Sequence, residues 1–352
     1  MLTDIYDQAR ALDAWADSPS PQQYPDGEQL FPPQIDERAA HTTLAHAKIS
    51  AICVAPGMRE VRVGLENKLP SRDRDRLPTR FLRGKAIAYY RIKGATSASP
   101  TTTTSISPFL RNDRYPCGSS ISVANTVRTG TMGCLVRIDG RLHGLSNNHV
   151  AAGLGYLTPG MPISGPGLLD VGPGTLDPSV IGYHAACSSW RPGIPDNVSI
   201  AENLDLALFR IKTEDAVTSF QGSHYDTPSA FASVRTIMAT PGHRVTKVGR
   251  TTGLTSGELL GHNVRRVVVP MIDGAQRVDV HFPYVLTIYN DASPFAAPGD
   301  SGSLVVQDIG GTTKAVGIVF ATSLCGCATY VIPIETALSF FKAELVSGHN
   351  IV

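Results

Sequence analysis

The segment from Gly299 to Ser303 reads Gly-Asp-Ser-Gly-Ser and has the residue types of a nucleophile turn. A serine hydroxyl becomes a useful nucleophile only beside a base, and acyl transfer also needs backbone N–H groups aimed at the developing oxyanion. Glycines on both sides of Ser301 allow a tight turn that exposes its hydroxyl. The apolar residues 304–306 predict a strand that anchors this turn. Taken alone, the same letters also fit an ordinary turn.

A histidine and an aspartate elsewhere in the chain supply what such a serine needs. His149 lies among small residues directly after a predicted strand, where a base can be held at a cleft. Asp205 interrupts the otherwise apolar residues 204–208. Burying a carboxylate without a partner is costly, so Asp205 predicts a partner, and an imidazole fits. The aspartate would fix the tautomer of His149 and stabilise its charged form.

The three residues follow one another along the chain as His149, Asp205 and Ser301, with separations of 56 and 96 residues. This is the chymotrypsin order, which differs from the subtilisin and α/β-hydrolase orders. The separations suit a histidine and an aspartate on one barrel and a serine on a second barrel. We therefore predict a Ser-His-Asp hydrolase.

Short apolar runs divided by Gly, Pro and Asn characterise the chain from about residue 118 onward. Asp139-Gly140, between two such runs, predicts a β-hairpin over residues 133–145. A helix is predicted over residues 334–346, where apolar positions have helical spacing. Regular strand spacing with turn signals indicates a barrel or a sandwich. The further strand candidates cover residues 205–211, 245–248, 264–269, 278–282, 303–306 and 315–320.

The N-terminal part of the chain has a different pattern and predicts a small α/β module. Apolar residues at helical spacing predict a helix over residues 2–15. A second helix is predicted over residues 36–49, with Asp36 as its N-cap. Residues 61–65 alternate as a half-buried strand does, and residues 86–92 predict another strand.

A stretch rich in Ser and Thr, residues 94–108, separates this module from the strand-rich part of the chain. Such a composition has little to bury, so it predicts a linker. The expected division is an N-terminal α/β module over 1–93, a Ser/Thr-rich linker over 94–117, and a serine protease domain over 118–352.

The composition, 42% hydrophobic and 17% charged in 352 residues, predicts a folded chain, and the net charge of +1 indicates no class of partner. The segment after Met1 lacks the basic and apolar regions of a secretory signal, and no run of about 18 apolar residues occurs. We therefore expect a cytoplasmic protein without a membrane span. Its six cysteines are then expected to be free, buried thiols; Cys325 and Cys327 form the only close pair, with no second pair for zinc.

Four motifs taken together resemble the trypsin-like serine peptidases, and within them the narrow-leaf-type proteins of plants and bacteria. They cover most of residues 118–340, and a weaker resemblance extends to the predicted strands at 61–70 and 86–92. The motifs are Gly-Thr-Met-Gly-Cys-Leu at 130–135, Ser-Asn-Asn-His-Val at 146–150, Lys-Val-Gly-Arg-Thr-Thr-Gly-Leu-Thr-Ser-Gly at 247–257, and the turn at 299–303.

The resemblance implies a mainly β fold of two antiparallel six-stranded β-barrels with the active site in the cleft between them. It implies His149 as general base, Asp205 as its orienting acid and Ser301 as nucleophile. The backbone N–H groups of Gly299 and Ser301 would form the oxyanion hole. Hydrolysis of a protein or peptide substrate through an acyl-enzyme would follow, with no cofactor and no metal.

Two departures from the trypsin pattern affect activation and specificity. No Arg/Lys-Ile-Val-Gly-Gly activation site precedes the first barrel strand, so activation by a newly inserted N-terminus is not expected. Phe295, six residues before Ser301, stands where trypsins carry the aspartate that selects basic side chains. Phe320, Ala321 and Thr322 are expected to border the same substrate pocket and indicate an apolar or small side chain.

Other functions fit parts of the same sequence. A pseudoprotease that binds a peptide without cleaving it would keep the same motifs. Residues 59–93 carry a net charge of +7, which fits docking to nucleic acid or an acidic partner, although the interleaved carboxylates favour a solvated face. Because constant cleavage would harm a cell, we also hypothesise that the N-terminal module, with a regulatory partner, or the 94–108 segment restrains the cleft.

Overall fold

The computed structural model describes residues 4–19, 29–82, 84–93, 95–96, 109–123, 126–193, 197–242, 244–273 and 276–352. Within these ranges the protein is mainly β, as predicted, with short helices at the surface of the sheets. None of the helices in these ranges has the length and apolar character needed to cross a membrane. Most of the predicted linker at 94–108 lies outside the described residues.

The N-terminal elements are two helices, three strands and one short helix. The first helix buries Ile5, Ala9, Leu12 and Trp15, the face predicted from their spacing. Asp36 caps the second helix, because its carboxylate accepts a hydrogen bond from the backbone N–H of Ala39. The elements are α1 (Ile5–Asp17), α2 (Glu37–Ala47), β1 (Ile49–Val54), β2 (Glu60–Leu65), α3 (Ser71–Arg74) and β3 (Ala86–Arg91).

Two details of this module differ from the prediction. The second helix ends at Ala47, since Lys48 takes a positive φ of 56°, and the unpredicted strand β1 begins at Ile49. The prediction that β2 is half-buried is wrong, because residues 61–65 are all buried and both faces of the strand are therefore covered. Arg62 on β2 is buried, with its guanidinium 2.6 Å from Glu60 and 2.9 Å from Glu258.

The middle of the chain forms a curled antiparallel sheet in the order β8-β9-β12-β11-β10-β6-β7. The predicted hairpin is confirmed as β8–β9, with Asp139 and Gly140 both at positive φ in its turn. The elements are β4 (Ala95–Thr96), β5 (Tyr115–Cys117), β6 (Ser120–Val123), β7 (Thr129–Thr131), β8 (Cys134–Ile138), β9 (Arg141–Ser146), α4 (Asn148–Ala151), β10 (Pro162–Gly165), β11 (Ser179–Cys187), β12 (Ala207–Ile211), β13 (Val217–Gln221) and β14 (Tyr225–Asp226).

Six strands of the remaining chain form a closed barrel, while β17 and β18 form a separate hairpin and β23 pairs with β8 of the curled sheet. The order of the barrel strands is β15-β20-β21-β22-β19-β16, and β16 pairs back onto β15. The two-barrel fold class is confirmed, with this barrel closed and the first one curled. The elements are α5 (Val234–Ala239), β15 (Arg244–Gly249), β16 (Gly253–Asn263), β17 (Val267–Asp273), β18 (Gln276–Phe282), β19 (Leu286–Tyr289), β20 (Leu304–Ile309), β21 (Thr312–Ser323), β22 (Ala328–Pro333), α6 (Ile334–Phe341) and β23 (Glu344–Leu345).

The N-terminal module is joined to the closed barrel by a continuous sheet. Strand β1 pairs with β16 through Cys53 opposite Asn263 and Val54 opposite His262. The side chain of Asn263 adds a further bond, accepting from the backbone N–H of Ile52 at 3.0 Å. The module therefore cannot move without breaking backbone hydrogen bonds to the barrel.

The expectation of free thiols is wrong for Cys325 and Cys327, which form a disulfide in the turn between β21 and β22. The turn brings their Cα atoms to 5.3 Å, within the range that a disulfide needs. The other four cysteines are free, and three of them, Cys53, Cys117 and Cys134, are buried.

We predict that Gly261→Ala weakens the junction between the N-terminal module and the closed barrel. Gly261 has φ +150°, and a Cβ there would lie 2.1 Å from the carbonyl oxygen of Val54. Overpacking together with backbone strain should lower the free energy of unfolding by about 2–4 kcal/mol. Gly172→Ala, at a position with open space, is the matched control for denaturant unfolding. Equal stability of the two variants would contradict the prediction.

Candidate active site

His149 and Asp205 meet because the strands that precede and follow them are neighbours. Ser146 at the end of β9 lies opposite Ala207 at the start of β12. Asp205 is fully buried and directs both carboxylate oxygens at His149: Oδ2 lies 2.5 Å from Nδ1, and Oδ1 accepts from the backbone N–H at 3.0 Å. This pairing holds Nδ1 toward the carboxylate and leaves Nε2 as the nitrogen available to take a proton.

Buried polar side chains hold the two segments around this pair. The amide of Asn147 donates to the carbonyl oxygen of Asp205 at 2.6 Å. The hydroxyl of Ser188 donates to the carbonyl oxygen of Leu204 at 2.7 Å and accepts from the N–H of Leu206 at 2.9 Å. The backbone on both sides of Asp205 is thus fixed, which fixes the carboxylate.

The Ser301 turn, residues 299–303, packs directly against the curled sheet. Gly299 and Gly302 have φ values of +100° and +97°, which glycine adopts without strain. Thr131 at the end of β7 donates its N–H to the carbonyl oxygen of Ser301 at 2.8 Å and its hydroxyl to that of Gly299 at 2.9 Å. A Cβ at Gly302 would lie 2.1 Å from the carbonyl oxygen of Thr131, so only glycine fits there.

The same contact brings the Ser301 turn to the segment that carries His149. Ser146, three residues before His149, donates its hydroxyl to the carbonyl oxygen of Thr131 at 2.8 Å. A Cβ at Gly130 would lie 2.5 Å from Val150 and 3.0 Å from the carbonyl oxygen of Ser301. Ser301 Oγ itself makes no hydrogen bond within the described ranges. In sites without substrate, such bonds are often long and tighten only in the loaded complex.

Two backbone donors of the Ser301 turn are unpaired. Among the residues that the structure describes, no group accepts the N–H of Gly299 or of Ser301. Buried backbone N–H groups are nearly always paired, and Gly299 is buried. Two such donors beside a serine can stabilise an oxygen that gains negative charge.

Asp300 is fully buried, and its carboxylate holds the Ser301 turn in place through hydrogen bonds. Its carboxylate accepts hydrogen bonds from the backbone N–H of Thr251 at 2.8 Å, of Thr252 at 3.2 Å and of Ala297 at 2.9 Å. The hydroxyl of Thr252 adds a bond of 2.7 Å. The ammonium of Lys247, also fully buried, lies 3.4 Å from the same carboxylate.

Lys247 supplies the positive charge for Asp300 without any free N-terminus. Burial lowers the pKa of the Lys247 ammonium below its usual 10.5, and the Asp300 carboxylate acts in the opposite direction. The ammonium also donates to the hydroxyl of Thr252 and lies 5.8 Å from the ring centre of Phe295. Sequence analysis missed this role of Lys247, although the residue belongs to the motif at 247–257.

A second buried ion pair connects the two barrels. Arg250, directly after β15, donates two hydrogen bonds at 2.6 and 2.7 Å to the buried carboxylate of Asp170, in the connection between β10 and β11 of the curled sheet. The N–H of Arg250 donates to the hydroxyl of Thr131 at 3.1 Å. A charged pair of this geometry fixes how the barrels are oriented, since breaking it would leave a buried charge. Asp170 lies in no motif, and no sequence signal identified it.

The residues predicted to border the substrate pocket lie in different parts of the closed barrel. The ring of Phe320 is buried against Phe282, with ring centres 4.9 Å apart, whereas Phe295 belongs to another hydrophobic cluster. The structure therefore does not bring these two rings together. Phe320, Ala321 and Thr322 instead form the end of β21, whose backbone continues past the Ser301 turn.

The described residues include no group of three or more His, Cys, Asp or Glu side chains that could hold a metal ion.

Comparisons with known proteins give distant structural neighbours. No family model matches the sequence, and no curated protein matches it at the required significance. Among solved structures, Thermobifida fusca Protease A is similar, with a TM-score of 0.40 and 18% identity over 66% of this chain and 98% of that chain. A Cellulomonas bogoriensis chymotrypsin has a TM-score of 0.40 and 16% identity over 66% and 100%. A Nocardiopsis protease has a TM-score of 0.38 and 17% identity over 65% and 97%.

We predict that Lys247→Met destabilises the fold by about 3–5 kcal/mol, because it leaves the Asp300 carboxylate buried without a countercharge. The double variant Lys247→Met/Asp300→Asn should lose less, since the uncompensated charge is then removed. Lys212→Met, at an exposed position, serves as the control in the same denaturant titration. A loss below about 1 kcal/mol for Lys247→Met, the size typical of exposed pairs, would contradict this assignment.

Proposed function

We propose that this protein is a serine endopeptidase that uses Ser301, His149 and Asp205. The observation that carries the proposal is the Asp205-oriented imidazole on a segment that Thr131 joins to a glycine-flanked serine turn with two unpaired N–H donors. These are the base, the nucleophile and the oxyanion donors that acyl transfer requires. The structural neighbours are too distant in sequence to support this activity.

The proposed chemistry proceeds in two steps with balanced proton transfer. Ser301 Oγ attacks the peptide carbonyl carbon while Nε2 of His149 takes the hydroxyl proton. The carbonyl oxygen becomes an oxyanion held by the N–H groups of Gly299 and Ser301. Its collapse breaks the C–N bond, and His149 returns the proton to the leaving amine. In the second step His149 takes a proton from a water molecule that attacks the acyl carbon, the ester C–O bond breaks, and His149 returns the proton to Ser301 Oγ, which releases the acid. Asp205 stabilises the imidazolium in both steps.

The proposed substrate is an extended polypeptide with an apolar or small side chain before the cleaved bond. Phe295 at the position six residues before Ser301 offers no carboxylate for a basic side chain. We also propose the division into an N-terminal module over 1–93, a linker over 94–117 and the protease domain over 118–352. Membership of the narrow-leaf-type subgroup and a cytoplasmic location stay predictions.

We expect a fluorophosphonate probe to label the wild-type protein and not Ser301→Ala, because only an activated serine reacts. Asp205→Asn should slow labelling by about 10⁴-fold, the loss expected when the histidine has the wrong tautomer. Ser229→Ala, at an exposed serine far from this turn in the chain, is the matched control and should still be labelled. Gel fluorescence and intact mass measure the product.

Labelling that is equally absent from wild type and variants would reject the endopeptidase proposal. Binding of an extended peptide by such an unreactive protein would then support the pseudoprotease. A salt-dependent shift of RNA or DNA on the full chain would support docking through the basic segment at 59–93.

We further predict that kcat/KM falls at alkaline pH through a pKa below 10.5. When the pH exceeds the lowered pKa of Lys247, its ammonium loses a proton and no longer balances the Asp300 carboxylate. The turn that carries the N–H donors of Gly299 and Ser301 is then held less firmly. Lys247→Arg should move this fall to higher pH, because a guanidinium stays charged. A pH profile with Lys212→Arg as control checks this, and an unmoved alkaline limb would refute it.

A further inference from the structure

One edge of strand β21 runs alongside the turn that carries Ser301. On that edge β21 pairs with β20 as far as Ile318, and Val319 then bonds to the Ser301 turn. The N–H of Gly302 donates to the carbonyl oxygen of Val319 at 2.8 Å, and the N–H of Val319 donates to that of Ser303 at 3.0 Å. The continuing edge, residues 320–323, is where a peptide could add a strand and bring a carbonyl group to Ser301.

The chain's own strand β4 occupies this edge. Thr96 pairs with Thr322 and Ala95 pairs with Ser323, both antiparallel. Thr322 also pairs with Thr329 of β22. Because a strand has only two edges, β4 must lie on the edge opposite β22, which is the edge that holds the Ser301 turn. Ala95 also packs against the hydrophobic cluster that contains Phe320.

The direction of β4 is the direction that a substrate would need. In an antiparallel pair, the step from Ala95 to Thr96 moves from Ser323 toward Thr322 and thus toward Val319. Val319 is bonded to the Ser301 turn. A substrate segment that runs from its N-terminal side toward the bond to be cleaved would lie along the same edge with the same polarity. Strand β4 and the substrate therefore compete for the same backbone groups.

The N-terminal module holds β4 close to this edge. Ile92, directly after β3, is fully buried against Leu260 and Ala328 of the closed barrel. Its N–H donates to the carbonyl oxygen of Leu65 at 2.8 Å, and its carbonyl oxygen accepts from the Ser50 hydroxyl at 2.7 Å. Only two residues, at positions 93 and 94, separate Ile92 from Ala95. A short tether of this kind gives a segment an effective concentration in the millimolar range.

We propose that β4 is an autoinhibitory strand, in which Ala95 and Thr96 pair with Ser323 and Thr322 and so block the outer half of the edge at residues 320–323 against a peptide substrate. The inference rests on the proposed function, since it concerns access to Ser301. Cleavage of an extended peptide then requires β4 to leave the edge. The N-terminal module keeps β4 close to this edge, so that β4 can pair with it again after leaving.

The test removes the backbone donors of β4. The double variant Ala95→Pro/Thr96→Pro lacks both N–H groups and cannot pair as a strand. If β4 leaves the edge free about a tenth of the time, kcat/KM for tetrapeptide p-nitroanilides with varied final residues should rise about tenfold. Hydrolysis of p-nitrophenyl acetate, which needs only the serine and histidine, should not change.

Two matched variants separate pairing from other effects of the substitutions. Thr102→Pro/Thr103→Pro puts the same two prolines further along the chain and should leave the peptide rate unchanged. Ala95→Gly/Thr96→Gly keeps both donors but weakens the strand, and it should give a smaller rise. Unchanged peptide hydrolysis in the Ala95→Pro/Thr96→Pro variant, an equal rise in the Thr102→Pro/Thr103→Pro control, or a fall in rate would each overturn the inference.

Failure of the inference and failure of the proposed function give different results. If no form hydrolyses p-nitrophenyl acetate or reacts with a fluorophosphonate, the proposed function is wrong. Binding then tests β4 by itself: a fluorescein-labelled tetrapeptide pool should bind about tenfold more tightly to the Ala95→Pro/Thr96→Pro form of Ser301→Ala than to Ser301→Ala alone. Equal affinity would overturn autoinhibition without reference to catalysis.

Discussion

The buried carboxylate of Asp300 organises the candidate site. It is adjacent to Ser301 in sequence, and it collects three backbone N–H groups, one hydroxyl and the ammonium of Lys247. Moving an unpaired carboxylate into a protein interior is costly, so this set of partners has to be complete before the turn is stable. Once Asp300 is held, the backbone of Gly299 and Ser301 is held with it. Because the countercharge is internal, the turn does not depend on a new N-terminus for its shape.

The two barrels are joined around the same turn by a small number of polar contacts. Thr131 bonds to the carbonyl oxygens of Gly299 and Ser301, and the Arg250–Asp170 pair crosses the interface beside it. Close approach is possible only because Gly130 and Gly302 lack side chains. The position of the serine relative to the histidine is therefore a property of the interface, and neither barrel sets it alone.

The N-terminal module is part of the same sheet system as the closed barrel. Strand β16 extends beyond the barrel to pair with β1, so six barrel strands and the three main module strands form one hydrogen-bonded array. This array also places β4 at the end of β21. The module that sequence analysis predicted as separate is thus continuous with the barrel sheet, and its buried residue Ile92 lies close in the chain to the strand β4 that pairs with β21.

The sequence by itself predicted the mainly β class, the hairpin around Asp139-Gly140 and the first two helices, because these depend on local spacing and turn residues. It also selected His149, Asp205 and Ser301 as one set, from residue types and their order. The tertiary structure decided that Lys247 faces Asp300, that Asp170 reaches Arg250, that Arg62 is buried and that β4 lies on β21. Each of these joins residues far apart in the chain or depends on which neighbour covers a strand, and local patterns carry no information about such pairings.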